Sequence, residues 1–160
     1  MSAEFLDFSG ANETGALVQQ TTDFTAGNSQ LTFFNPETGV SQEVDSYTGA
    51  NGTGTLTTAS LDFSDGSSEL QTFSPSAGVA VEYQDFSGAN ETGTLEDQGV
   101  DFSSGGSQFQ FFNPDPGTSL ETETFTGTTA GLEPSGMLRV TRDDGRGVEL
   151  VLSGDVAEAS

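Results

Sequence analysis

Apolar and polar residues alternate with period two in short runs, and glycine or proline separates the runs. Val79-Ala80-Val81-Glu82-Tyr83 shows the alternation of a half-buried strand. Leu31-Thr32-Phe33-Phe34 and Phe109-Gln110-Phe111-Phe112 are β-prone runs, each followed by Asn-Pro, and the corresponding place in the middle of the chain is Ser74-Pro75. Proline cannot donate to a ladder, so these positions are predicted to end their strands. Ala26-Gly27-Asn28, Asp65-Gly66-Ser67 and Ser104-Gly105-Gly106 have the residues of short hairpin loops, which tolerate positive φ. No window carries the 3.6-residue period of a helix. The chain therefore reads as all-β.

The pattern recurs with a period of 39 residues. Asp7-Phe8-Ser9-Gly10-Ala11-Asn12-Glu13-Thr14-Gly15 returns as residues 85–93, and Tyr47 to Gly54 is a looser copy midway between them. Asp23-Phe24 recurs as Asp62-Phe63 and Asp101-Phe102. Leu17 recurs as Leu56 and Leu95, and Gly39 as Gly78 and Gly117. Such repetition means one supersecondary unit used several times with an atypical end. The repeats span about 7–45, 46–84 and 85–123, with roughly three strands each and a partial fourth copy from 124. A terminal β-hairpin is predicted over 136–153, with Met137 to Arg142 and Val148 to Leu152 around a Gly-containing turn. Residues 131–136, with Pro134, read as the linker before it, and 155–160 as a frayed end.

The expected fold is a single β-repeat domain over 1–160, an array that is solenoid-like or a sandwich. The alternative is a closed pseudo-three-fold fold of the trefoil or prism type. Trefoil cores need about four strands per unit and more branched aliphatics, and this chain has no Ile. Phe8, Tyr47, Phe86 and Phe125, with Phe34, Phe73 and Phe112, are expected to form the core of the array.

Charge narrows the function classes. The net charge is -22, and residues 1–138 hold 20 acids and no Lys or Arg. All three cations are Arg139, Arg142 and Arg146. An acidic body repels nucleic acid and anionic membrane surfaces, so neither is an expected partner. No apolar run reaches the ~18 residues of a membrane span. The first residues, Met1-Ser2-Ala3-Glu4-Phe5, show no classical signal peptide. The cysteine count is zero, which removes disulfides and thiol chemistry.

Four sets of residues are candidates for chemistry. Asn12, Asn51 and Asn90 each begin an N-x-[ST] sequon, the acceptor for N-glycosylation; the same Asn also suits a tight turn. Asp23, Asp62 and Asp101 are candidate Ca²⁺ ligands, since Ca²⁺ takes oxygen ligands from turns; the plainer reading is that each Asp satisfies N–H groups of its own turn. The repeated aromatics are a candidate platform for glycans. Arg139, Arg142 and Arg146 are candidates for docking the tail onto the acidic body of a neighbouring copy, or for pairing with Asp143, Asp144 and Glu149. With no His, Cys or Lys, the usual base, thiol and amine of catalysis are missing. The expected function is non-enzymatic and needs no cofactor: a structural or self-assembling surface protein, in an extracellular filament or matrix, an adhesin segment or a virion decoration. The alternative is a carbohydrate- or Ca²⁺-binding β-repeat module. The expected location is extracellular, on a cell surface or on a virion.

Overall fold

The computed structural model describes residues 3–125, 136–142 and 146–152. Most of the linker at 131–136, the turn at 143–145 and the terminal residues 155–160 lie outside the described residues, as do residues 126–130 of the fourth copy. The described chain is all-β, with twelve strands and one 3₁₀ turn, Ala50–Gly52. The strands are β1 (Ala3–Gly10), β2 (Thr14–Asp23), β3 (Ser29–Glu37), β4 (Val40–Tyr47), β5 (Leu56–Phe63) and β6 (Ser68–Phe73). They continue with β7 (Val79–Gly88), β8 (Thr92–Phe102), β9 (Ser107–Phe112), β10 (Thr118–Phe125), β11 (Gly136–Arg142) and β12 (Gly147–Leu152).

The chain forms two compact units. The first is Met1–Phe73 with Asp85–Thr94, and the second is Ser74–Gln84 with Leu95–Ser160. In the first unit β1 to β6 pair in chain order, each antiparallel to the next. In the second unit β8 to β12 do the same. These are the pairings of open meanders, the simplest product of short strands joined by tight turns. The turns take the residues that the dihedrals require. Gly27, Gly66 and Gly105 sit at φ +90, +96 and +86. Each donates its N–H to the Phe three residues earlier, and that Phe N–H bonds the carbonyl four residues on. This is the turn-plus-bulge connection that wants Gly in the left-handed region.

Proline behaves as expected in two of three places. β6 stops at Phe73 and β9 at Phe112, one residue before Ser74-Pro75 and Asn113-Pro114. β3 instead continues to Glu37, and Pro36 lies inside it. The ladder breaks register between Phe34 and Glu37 there, so no pairing is asked of the missing N–H.

Register-paired residues share a face. In the first unit one face carries Thr21, Asp23, Ser29, Leu31, Phe33, Glu43, Asp45 and Ala59. The other carries Gln30, Thr32, Val44, Ser46, Thr58, Ser60, Asp62, Ser68 and Leu70. The expected aromatic core does not form. Phe8, Phe34, Tyr47, Phe73, Phe86, Phe112 and Phe125 are all half-buried. The buried apolar residues among those described are Val40 and Ala59, each 5% exposed. The largest fully buried side chains are Ser29, Ser68 and Ser107. The reason is geometric: a strand face in a single sheet is covered only by what folds over it. In the second unit Phe109 stacks on Phe111 at 6.3 Å and meets Phe125 edge-on at 6.0 Å, which shields a patch without burying it.

Candidate functional site

The buried serines mark the most specific structure in the chain. β4 and β5 meet in an apex, residues 48–55, that folds over the end of the β2/β3 hairpin. Asp23 Oδ1 accepts the Asn51 N–H at 2.7 Å. Ser29 Oγ accepts the Gly52 N–H at 2.8 Å and donates to the Gly49 carbonyl at 2.5 Å. The same junction recurs 39 residues later. Asp62 Oδ1 accepts the Asn90 N–H at 2.6 Å, while Ser68 Oγ accepts the Glu91 N–H at 2.9 Å and donates to the Gly88 carbonyl at 2.7 Å. One oxygen of each Asp therefore serves the apex 28 residues further on. By register, Asp23 and Ser29 lie on one face of the first unit, and Asp62 and Ser68 on the other. Successive apices thus fold over opposite faces of one sheet.

The apex conformation is written locally. Asn12, Asn51 and Asn90 sit at φ 56, 53 and 54, in the left-handed region where Asn is tolerated. The residues after them, Glu13, Gly52 and Glu91, also have positive φ, at 59, 68 and 57. Two such residues in succession make the turn that matches strand twist. Thr14, Thr53 and Thr92 Oγ1 donate to the Ala11, Ala50 and Ala89 carbonyls at 2.7, 2.7 and 2.6 Å. The hydroxyls of Ser9, Thr48 and Ser87 accept from Ala16, Thr55 and Thr94 N–H at 3.0, 2.9 and 2.9 Å. The three sequon asparagines are exposed at these tips.

At the third Asp/Ser pair, Asp101 is buried and its Oδ2 accepts the Tyr83 hydroxyl at 3.3 Å. Ser107 Oγ is buried with no hydrogen-bond partner among the described residues. Residues 126–133, 39 positions beyond residues 87–94, lie outside the described residues. Asp23 and Asp62 thus serve separate junctions. Among the described residues no group of three or more acids is placed to hold a metal ion.

A second feature is a cleft of about 570 Å³ on the first unit, lined by Gln30, Thr32, Gln42, Ser46, Thr58 and Ser60, with Val44, Leu70, Asn90 and Glu91. It presents amides and hydroxyls under the 85–94 apex. The opposite face holds carboxylates among aromatics. Asp45, 8% exposed, has one oxygen, Oδ1, with no partner, while Oδ2 accepts the Tyr47 hydroxyl at 3.1 Å. Burial pushes its carboxyl up, against the opposing pull of the Tyr47 bond. Glu43 is raised by burial and then by the charges of Asp45 and Glu37. Glu123 in the second unit is raised by burial and by Glu121.

The arginines sit at the far end of the chain. Arg142 is exposed, and its N–H bonds the Arg146 carbonyl at 2.8 Å across the β11/β12 turn. Arg139 stands in register with Glu149 of β12 and Thr122 of β10. No described helix is long and apolar enough to cross a membrane. Comparison with protein-family models, with curated proteins and with solved structures found no match.

Proposed function

We propose that this protein is a non-enzymatic structural component of a surface assembly, built as an array of three 39-residue β-repeats and able to self-associate. The observation that carries this reading is the recurring junction. The apices at Asn51 and Asn90 are each held by side chains of the preceding hairpin through the same three hydrogen bonds, so the unit is made to be added to itself. The polar, one-sheet construction supports a scaffold better than a reaction centre. The setting is extracellular, at a cell surface or on a virion, where an acidic body stays soluble and repels nucleic acid. Sedimentation velocity and electron microscopy at several protein and NaCl concentrations test the reading. Concentration-dependent growth is expected, and a monomer under every condition rejects it.

A second reading, carbohydrate binding, is favoured by the amide- and hydroxyl-lined cleft under the 85–94 apex. A glycan array on the full chain tests it, with Gln42→Ala as the variant expected to lose any signal.

A further inference from the structure

The strands fall into a cycle of three kinds. β1 and β4 lead into an apex, and β7 does the same at residue 88. β2, β5 and β8 leave the apex. β3, β6 and β9 follow the Gly turn. β12 belongs to the third kind. Its turn closes with Arg142 N–H to the Arg146 carbonyl, as Phe24 bonds Asn28, Phe63 bonds Ser67 and Phe102 bonds Gly106. Thr141 is in register with Gly147 as Asp23 is with Ser29, Asp62 with Ser68 and Asp101 with Ser107. The described strands therefore begin with an apex-leading strand and end with a strand of the kind that pairs with one. Inside the chain that pairing is β3 with β4.

We propose that β12 of one copy pairs antiparallel with β1 of the next, joining copies head to tail into a continuous β array. This rests on the self-association reading and names its contact. Two independent observations support it. The first is exposure. Phe5 and Leu6 on β1 are 50% and 47% exposed, an apolar pair on an edge strand that proteins usually blunt with charge. The positions 39 residues later, Val44 and Asp45, are half-buried and buried where β3 lies alongside. Among the described strands β1 pairs with β2 alone, whereas β4 pairs with both β3 and β5. The second is charge. The β1/β2 hairpin carries Glu4, Asp7 and Glu13, and the β11/β12 hairpin carries all three arginines of the chain. Where the internal junctions offer Asp and Ser, the last hairpin offers Thr141 and Gly147 flanked by Arg142 and Arg146. An apex bearing Glu13 suits that cationic ledge. Unlike ends that fit each other generate filaments, or rings where the rotation closes.

The internal register transfers to the contact. Ser29 opposite Tyr47 and Leu31 opposite Asp45 become Gly147 opposite Phe8 and Glu149 opposite Leu6. The chain has no cysteine, so the register is directly testable. Leu6→Cys protein is mixed with Glu149→Cys protein and oxidised, and each is also oxidised alone. The expected product is a covalent dimer only in the mixture. A disulfide dimer from Leu6→Cys alone would show β1 pairing with β1, and would overturn the head-to-tail contact. Leu6→Lys, at an exposed position and checked for folding by circular dichroism, is expected to remain monomeric where the parent chain assembles. If the parent assembles and Leu6→Lys assembles equally, with no mixed disulfide, the contact is wrong and the self-association reading stands. If the parent chain stays monomeric at every concentration, both fall.

Discussion

The apex at Asn12 and the apices at Asn51 and Asn90 share a sequence and a conformation but differ in surroundings. The Asn φ angles agree within a few degrees, the next residue has positive φ at each apex, and the Thr-to-Ala and amide-to-hydroxyl bonds recur in all three. Yet only the later two rest on an Asp/Ser pair. Docking is therefore not what shapes the apex. Local turn chemistry shapes it, and docking uses a surface that is already formed. Preorganisation of this kind lowers the ordering cost of a contact, which is why one small polar junction can join repeats that share so little apolar core.

The largest effect should come from breaking a junction. Asp62→Ala removes a charged acceptor from the Asn90 N–H and should destabilise the first unit by about 2 kcal/mol. Ser68→Ala removes both a donor and an acceptor and should cost roughly 1–3 kcal/mol. Asn12→Ala, at the undocked apex, should cost about 1 kcal/mol for the left-handed backbone alone. Urea melts of the three variants check the order. Equal losses at Asn12 and Asp62 would mean that the junction contributes nothing beyond the turn.

The third serine sharpens the contrast. Ser107 is as buried as Ser29 and Ser68, but among the described residues its hydroxyl has no partner. Ser107→Ala should then change stability by under about 0.5 kcal/mol, or stabilise, because a buried hydroxyl without a bond is itself unfavourable. A loss as large as that of Ser68→Ala would show that Ser107 is engaged after all.

How much of this was legible in the sequence follows from which signals are local. The Gly turns, the strand runs and the terminal hairpin could be read because periodicity and turn residues act over a few positions. The junction was missed. Asp23 and Asp62 looked like acceptors for their own turns or like Ca²⁺ ligands, because nothing in a single sequence says that an amide 28 residues away arrives at the carboxylate. A signal was present, though: Asp and Ser stand at a constant spacing in all three copies, at 23/29, 62/68 and 101/107. The aromatic residues misled for the opposite reason. Their alternation correctly placed them on strand faces, but alternation does not say whether a second layer covers the face.

The two faces of the first unit also differ in their response to acid. The face with Asp45 and Glu43 holds carboxylates whose folded-state pKa is raised, chiefly by burial. The folded state then binds more protons than the unfolded chain in the window above the ordinary values of 3.8 and 4.5. Stability should therefore be greatest below those values and be lost as pH rises through the raised ones. Glu123 contributes with the same sign in the second unit. Thermal melts should show a melting temperature that falls as pH rises from the ordinary values of 3.8 and 4.5 to neutrality. Asp45→Asn should remove part of that slope and raise stability at neutral pH. A melting temperature that falls on acidification would contradict the assignment.

The smallest effect tests whether strain belongs to the apex or to docking. Glu13 and Glu91 occupy the left-handed region, at φ 59 and 57, where Gly52 stands in the middle copy. A non-glycine residue there costs about 1–2 kcal/mol, partly offset because glycine is more flexible in the unfolded chain. Glu13→Gly and Glu91→Gly should each stabilise by roughly 0.5 kcal/mol. The sign should be the same at both sites, because the undocked apex already holds the strained turn. If Glu91→Gly stabilises and Glu13→Gly does not, the left-handed turn is imposed by Asp62 and Ser68 rather than by the Gly-Ala-Asn-x-Thr-Gly sequence. The first apex would then lose its preformed geometry, and a contact built on presenting Glu13 would have to bear the ordering cost itself.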